Sequence, residues 1–298
     1  MKKIPFLVAA ILGCGAVAPI AWAQEFVVPA KPPAKPAASL SETELRGLGE
    51  GIAFPYEKLE RALAPNVNVE GAVFYAKLKG NNDLETFVRA VAIADMTRFP
   101  KWMNPPDPQD PKSTASLDRT PELTFLINAY NGLFFKAIAD AYPVNSPAQI
   151  KGLDSAKTRR VAGKDVSFAE LRRQIATIDP RALFALPDGT NAGPRASSKV
   201  YSYLGLGAQL NQAANAYVND LSRVKSPLRL QNMVEVSPWL ATVDEYFAPK
   251  TAKRKWNGVR NVLSSYTKRD SDQRYFAAGD YQINFSLENG SVNEQLSR

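Results

Sequence analysis

The chain has 298 residues, with 37 Lys and Arg against 29 Asp and Glu, a formal charge of +8, no histidine and a single cysteine, Cys14. Lacking histidine it has no imidazole base and no Cys/His zinc site. Cys14 sits in a segment expected to be removed, which excludes a disulfide or a thiolate nucleophile from the mature chain.

Lys2 and Lys3 form a positive n-region, Ile4 to Ile20 an apolar stretch, and Ala21-Trp22-Ala23 a small-residue cleavage site. Residues 1–23 therefore read as a secretory signal peptide, and the expected location is the periplasm or exterior of a bacterium. Lipoprotein processing at Cys14 is the lesser alternative, because Leu12 fits a lipobox poorly and a good cleavage site lies downstream. Loss of Lys2 and Lys3 takes the charge from +8 to +6. Residues 24–40, containing AKPPAKPAA, read as a Pro/Ala-rich linker. Residues 41–298 read as a single globular domain with no membrane span.

Order is expected from Ser41, where Ser-Glu-Thr-Glu makes a capping box. A helix is predicted over Pro55 to Leu63, then a short strand over Val69 to Tyr75 with a bend at Gly71. The next helix is capped by Asn82-Asp83-Leu84-Glu85 and carries Phe87, Val91 and Ala94 at helical spacing. Periodicity disappears from 98 to 119, where five prolines mark a long surface loop.

The central element is predicted over 120–142. Thr120 can cap it, Pro121 suits its first turn, Glu122 complements the dipole, and Pro143 stops it. Leu126, Ala129, Leu133 and Ala137 fall on one stripe and Phe134, Ile138 and Ala141 on the next, so the helix is apolar nearly all round and should be buried. Asn128 and Asn131 lie inside it, three apart. They read either as a hydrogen-bonded core pair or as cleft residues that orient a ligand.

Val161 to Val166 predicts a hairpin or turn, and Ser167-Phe168-Ala169-Glu170 a capping box for a helix ending before Asp179-Pro180. Arg181 to Leu186 is expected as a buried strand, and Pro187 to Pro194 as turns. A helix over 207–221 should turn Leu210, Ala214, Tyr217, Val218 and Leu221 inward. Leu228 to Val236 is expected as strand, Ser237 to Phe247 and Lys253 to Tyr266 as helices, and Tyr275 to Leu287 as irregular or extended. The sum is an α+β fold, predominantly helical, with a small, mostly antiparallel sheet around the buried central helix.

Three partial motifs fail on their own terms. Leu204-Gly205-Leu206-Gly207 lacks the third glycine of a dinucleotide loop. The serine-to-lysine pairs Ser222/Lys225 and Ser265/Lys268 lack a Lys-Thr-Gly companion, and Asp270/Asp272 lack the turn glycine of a calcium loop. No cofactor or metal is expected. The basic clusters at 157–160, 172–173 and 250–260 suit solvated faces or anionic partners such as wall polymers and lipid head groups. No aromatic-interleaved RNA-binding motif is present, so nucleic acid is not an expected partner.

Ile127-Asn128-Ala129-Tyr130-Asn131 resembles the signature helix of the family known as domain of unknown function 547. Further matches follow in order: Glu70 to Tyr75, Val161-Ala162-Gly163 with the helix after Ser167, Asp179-Pro180-Arg181, Phe184-Ala185-Leu186, and Asn289-Gly290. The resemblance implies a reactive set that this chain lacks. Leu183 stands where the family has histidine, Asp188 and Gly193 where it has two cysteines, and Arg172-Arg173 where it has a glutamate–histidine pair. The expectation is an exported, non-catalytic binding or scaffold protein of the cell envelope. Its site would be a cleft beside the central helix, using Asn128, Asn131, Asp179, Arg181, Asp188, Arg172 and Arg173 toward an anionic ligand. The alternatives are a hydrolase working through carboxylates with Asp188 as base, and a purely structural protein contacting partners through the 98–119 loop.

Overall fold

The computed structural model describes residues 54–99, 102–104, 112, 114–252, 254–287 and 290–295. The residues read as a signal peptide (1–23) and a linker (24–40), Cys14, the capping box expected at Ser41 and the prolines at 100 and 105–111 lie outside the described residues. Three helices come first: α1 (Tyr56–Leu63), the single turn α2 (Tyr75–Leu78) and α3 (Asn82–Ala92). The cap of α3 is Asn81, one residue earlier than expected, because its side-chain oxygen accepts the N–H groups of Asp83 (3.1 Å) and Leu84 (3.0 Å). The strand expected over 69–75 is replaced by an isolated pairing of Val67 with Val73 around a turn, with Gly71 at φ 80°.

The 98–119 segment is not wholly irregular. Trp102–Asn104 (β1) and Ser116–Asp118 (β2) pair antiparallel, Trp102 opposite Asp118. Both stretches are free of proline and can offer every N–H to the ladder, as the prolines between them cannot.

Helix α4 (Thr120–Ala141) follows, and 16 of its 22 residues are buried, as its all-round apolarity demands. Its cap differs from expectation. Arg119 holds the N-cap position, Asp118 accepts the Thr120 N–H (2.8 Å), and Arg119 forks onto Glu122 through two 2.8 Å bonds. Helices α1, α2 and α3 pack on α4. The approach of α3 depends on Gly132, since a Cβ there would stand 2.6 Å from the Phe87 ring.

The hairpin forms as β3 (Arg159–Val161) and β4 (Lys164–Val166), turning at Ala162 and Gly163, both at positive φ. Helix α5 (Phe168–Ile178) opens with the full capping box, Ser167 and Glu170 bonding reciprocally. The buried strand expected over 181–186 is instead a 3-10 helix, Pro180–Ala185. Asp179 accepts the Arg181 N–H (2.9 Å) and Pro180 takes the first position, so local capping overrides the apolar run.

Helix α6 (Leu206–Val218) buries Leu210, Ala214, Tyr217 and Val218, but Leu221 lies past its end and is half exposed. Only Met233–Glu235 (β5) of the expected 228–236 strand is regular, preceded by a 3-10 turn that ends on Asn232 at φ 47°. Helices α7 (Trp239–Phe247) and α8 (Asn257–Tyr266) pack against each other. Helix α9 (Asp270–Ala278) runs into the start of the 275–287 stretch expected to be irregular or extended, and its signals are Asp270 and Asp272 in its first turn and Gly279 in the left-handed region at its end. The last strand, β6 (Gln282–Asn284), runs parallel to β5.

The α+β class therefore stands. Among the described residues the strands form three separate two-stranded ladders, two antiparallel and one parallel. No described helix is long and apolar enough to cross a membrane.

Candidate functional site

The capped start of α5 fixes which side chains it directs at α4. Arg172 meets Asp154, with Nη2 donating to Oδ2 at 2.7 Å and Nη1 2.5 Å from Oδ1, and Nη1 also reaches the Tyr130 hydroxyl of α4 at 3.3 Å. Burial works against this charge, but the bonds to Asp154 and Tyr130 raise the guanidinium pKa above its ordinary value. Burial pushes the Tyr130 phenol up to about 12, with Arg172 opposing. Tyr130 and Phe134 stack with ring centroids 5.5 Å apart, and Phe168 meets both edge-on. The result is a rigid aromatic wall topped by a fixed cation.

Above that wall lies a cleft of about 720 Å³. Arg172 and Arg173 line it from α5, Trp239 and Tyr246 from α7, and Asp188 and Thr190 from the turn that follows the 3-10 helix. Asp188 Oδ1 accepts both the N–H (2.9 Å) and the hydroxyl (2.8 Å) of Thr190, while its Oδ2 has no hydrogen-bond partner among the described residues. Burial raises the Asp188 carboxyl above its ordinary pKa, against the Thr190 bonds and the charges of Arg172 and Arg223.

The turn is held from the far end of the chain. Thr190 pairs with Val292, Asn293 N–H bonds the Gly189 carbonyl (2.9 Å), and Asn191 N–H bonds Ser291 (3.1 Å). Asn293 is anchored in turn, accepting from the Tyr75 hydroxyl (2.7 Å) and donating to the Gly71 carbonyl (3.1 Å). Gly193 completes the arrangement, because any Cβ at that position would lie 2.0 Å from Asp188 Oδ1. Asp188 thus occupies the space that a side chain at 193 would need.

Of the seven residues read as a site, the structure brings three together in the cleft: Arg172, Arg173 and Asp188. Asn128 is elsewhere, fully buried, its amide donating to the Tyr201 carbonyl (2.8 Å) and accepting the Tyr201 N–H (3.0 Å). Asn131 is also buried and bonds the Ala185 carbonyl (3.2 Å). Arg181 turns back on Asp179 through three bonds of 2.6 to 3.1 Å and reaches Asn211 (2.9 Å). These four residues do not line the cleft. Sequence reasoning missed Asp154, Tyr130, Trp239 and Tyr246. Only Tyr130 carried a signal, since it sits inside the INAYN run. Among the described residues no group of three or more Cys, His, Asp or Glu could hold a metal ion.

Leu183 is buried beneath the same cleft. Positions 172, 173, 183 and 188, the places where the resemblance expects reactive side chains, therefore converge on one cavity, with 193 against 188. Residues 114–218 match a family described as "Protein of unknown function, DUF547", a span that runs from β2 to the end of α6. No curated protein and no solved structure matches the chain.

Proposed function

Residues 114–218 belong to the DUF547 family, and from that premise we propose that this chain is an exported binding protein of the cell envelope. Its ligand is an anionic molecule such as an acidic wall fragment, held in the cleft without being cleaved. The observation that carries this reading is the convergence of Arg172, Arg173, Leu183 and Asp188 on one cavity. At the positions where the resemblance places proton-transfer and nucleophilic groups, this chain has two guanidiniums, an aliphatic side chain, the Asp188 carboxyl and a glycine. Arginine cannot act as a base, but its planar fork suits carboxylates and phosphates. Asp154 already neutralises Arg172, which gives the cleft a fixed edge, and Arg173, exposed at a rim it shares with Glu245, is the guanidinium left to meet a ligand. Trp239 and Tyr246 offer aromatic surface for the remainder of the ligand. The leader-like residues 1–23 support export.

Titration of Trp fluorescence with acidic wall fragments tests the proposal. Saturable binding that weakens about tenfold or more in Arg173→Glu is expected, and equal affinity in that variant defeats it.

One observation favours a second reading. Asp188 combines a raised pKa with an unbonded oxygen at a cleft, which is a general-base arrangement. Turnover of an ester, glycoside or peptide substrate, abolished by Asp188→Asn, would establish the hydrolase in place of the binding protein.

A further inference from the structure

A second cavity, of about 530 Å³, lies between α3, the C-terminal half of α4 and β3. Its walls are aliphatic, with Val88 and Ala92 from α3 and Leu133 and Ala137 from α4. The charges around it are unequal in their partners. Lys136 bonds Glu85 (2.7 Å) and both oxygens of Asp140 (2.9 and 2.8 Å), and Arg160 bonds Asp165 (3.3 Å). Arg159 has neither an ion pair nor a side-chain hydrogen bond among the described residues. Its guanidinium lies over the buried Phe168 ring, 4.9 Å from the centroid. It is half-buried, and burial draws its pKa below the ordinary arginine value despite the charge of Asp140.

A guanidinium has five N–H donors, and an aromatic face satisfies none of them as a carboxylate or phosphate would. Placed at the edge of an aliphatic cavity, this cation gains most from an anion that also brings apolar surface. A bare inorganic anion would leave the walls uncovered, and a neutral alkane would leave the guanidinium unmet. The volume falls within the ordinary range of small-molecule sites. We propose that this cavity binds an amphiphilic anion, with its head on Arg159 and its alkyl chain along Val88, Ala92, Leu133 and Ala137.

The test uses the full mature chain and two probes below their micellar range, octanoate and octyl phosphate, titrated by calorimetry and by NMR. Octanol and inorganic phosphate serve as controls that carry only one half of the chemistry. Binding of either probe, at least tenfold tighter than both controls, is expected, and a preference between the two identifies the head group. Arg159→Gln should weaken binding about tenfold or more, while Arg254→Gln, which removes a surface arginine paired with Asp280, should not change it. Because Arg159→Gln also removes the contact with Phe168, Ala137→Phe provides an independent arm. It narrows the cavity, leaves Arg159 in place and should abolish binding. Unaltered affinity in either variant, equal binding of octanol, or no binding of both probes overturns the proposal.

Discussion

Asn128→Ala separates the structural role of the INAYN helix from the cleft. The wild-type amide makes two bonds to one backbone unit, 2.8 Å to the Tyr201 carbonyl and 3.0 Å from the Tyr201 N–H, with Asn128 only 1% exposed. Each bond contributes about 1 kcal/mol net, and a buried donor or acceptor left without a partner costs about 1–3 kcal/mol. Truncation leaves both Tyr201 groups unmet, so the expected loss is about 3 kcal/mol. In a domain of this size that lowers Tm by about 6–12 °C. Urea unfolding followed by circular dichroism, with scanning calorimetry, measures it. Asn128→Asp should be no milder, because the carboxylate keeps the bond from the Tyr201 N–H but faces the Tyr201 carbonyl with a second acceptor. A loss below about 1 kcal/mol in Asn128→Ala would refute the structural assignment. So would a stable variant that loses ligand affinity.

Gly193→Ala should displace Asp188, since the new Cβ would lie 2.0 Å from Oδ1, and should impair cleft binding; Gly207→Ala, in open space in the first turn of α6, should instead stabilise by about 0.5 kcal/mol. Asn293→Ala should destabilise the fold and speed amide exchange at Asn191, whose N–H is bonded to the C-terminal segment that Asn293 anchors. For Asp188 the sign follows from its raised pKa: the folded state holds the proton more tightly, so its carboxylate weakens the fold as pH rises from the unfolded value through the raised one. Asp188→Asn should therefore gain stability at neutral pH, and chemical denaturation across pH should show that gain fading in acid. Asp220 has the opposite sign. Burial alone would raise it, but Ser222 together with Arg223 and Arg195 holds it at about 2, so its contribution is full above the ordinary aspartate value of 3.8 and is lost as pH falls toward 2. In Asp220→Asn, that acid-dependent step should be missing from the same titration.

The strongest local signals carried the fold. Helix α4 was legible because 22 residues are apolar all round with a proline at the start, and α5 because Ser167 and Glu170 form a reciprocal box. Where two local signals compete, the capping residues decide the structure. At 181–186 an apolar run suggested strand, but the Asp179-Pro180 cap decided for a 3-10 helix. Helix α9 lacks an apolar stripe, and its evidence lies only in end residues, Asp270, Asp272 and Gly279. The cleft was legible at Arg172, Arg173 and Asp188 through the resemblance. It was not legible where tertiary packing alone creates it. Asp154 meets Arg172 from 18 residues away, and Trp239 and Tyr246 arrive from outside the matched family span. Asn128 and Asn131 were ambiguous because a buried amide and a cleft amide look alike until their partners are known.

The most direct test of the binding-protein account is amide NMR mapping with an acidic wall fragment. The account predicts saturable shifts around Arg172–Arg173, Asp188–Thr190 and Thr242–Tyr246, lost in Arg173→Glu. Saturable shifts confined to other surfaces, or turnover of the fragment in the tube, would contradict it.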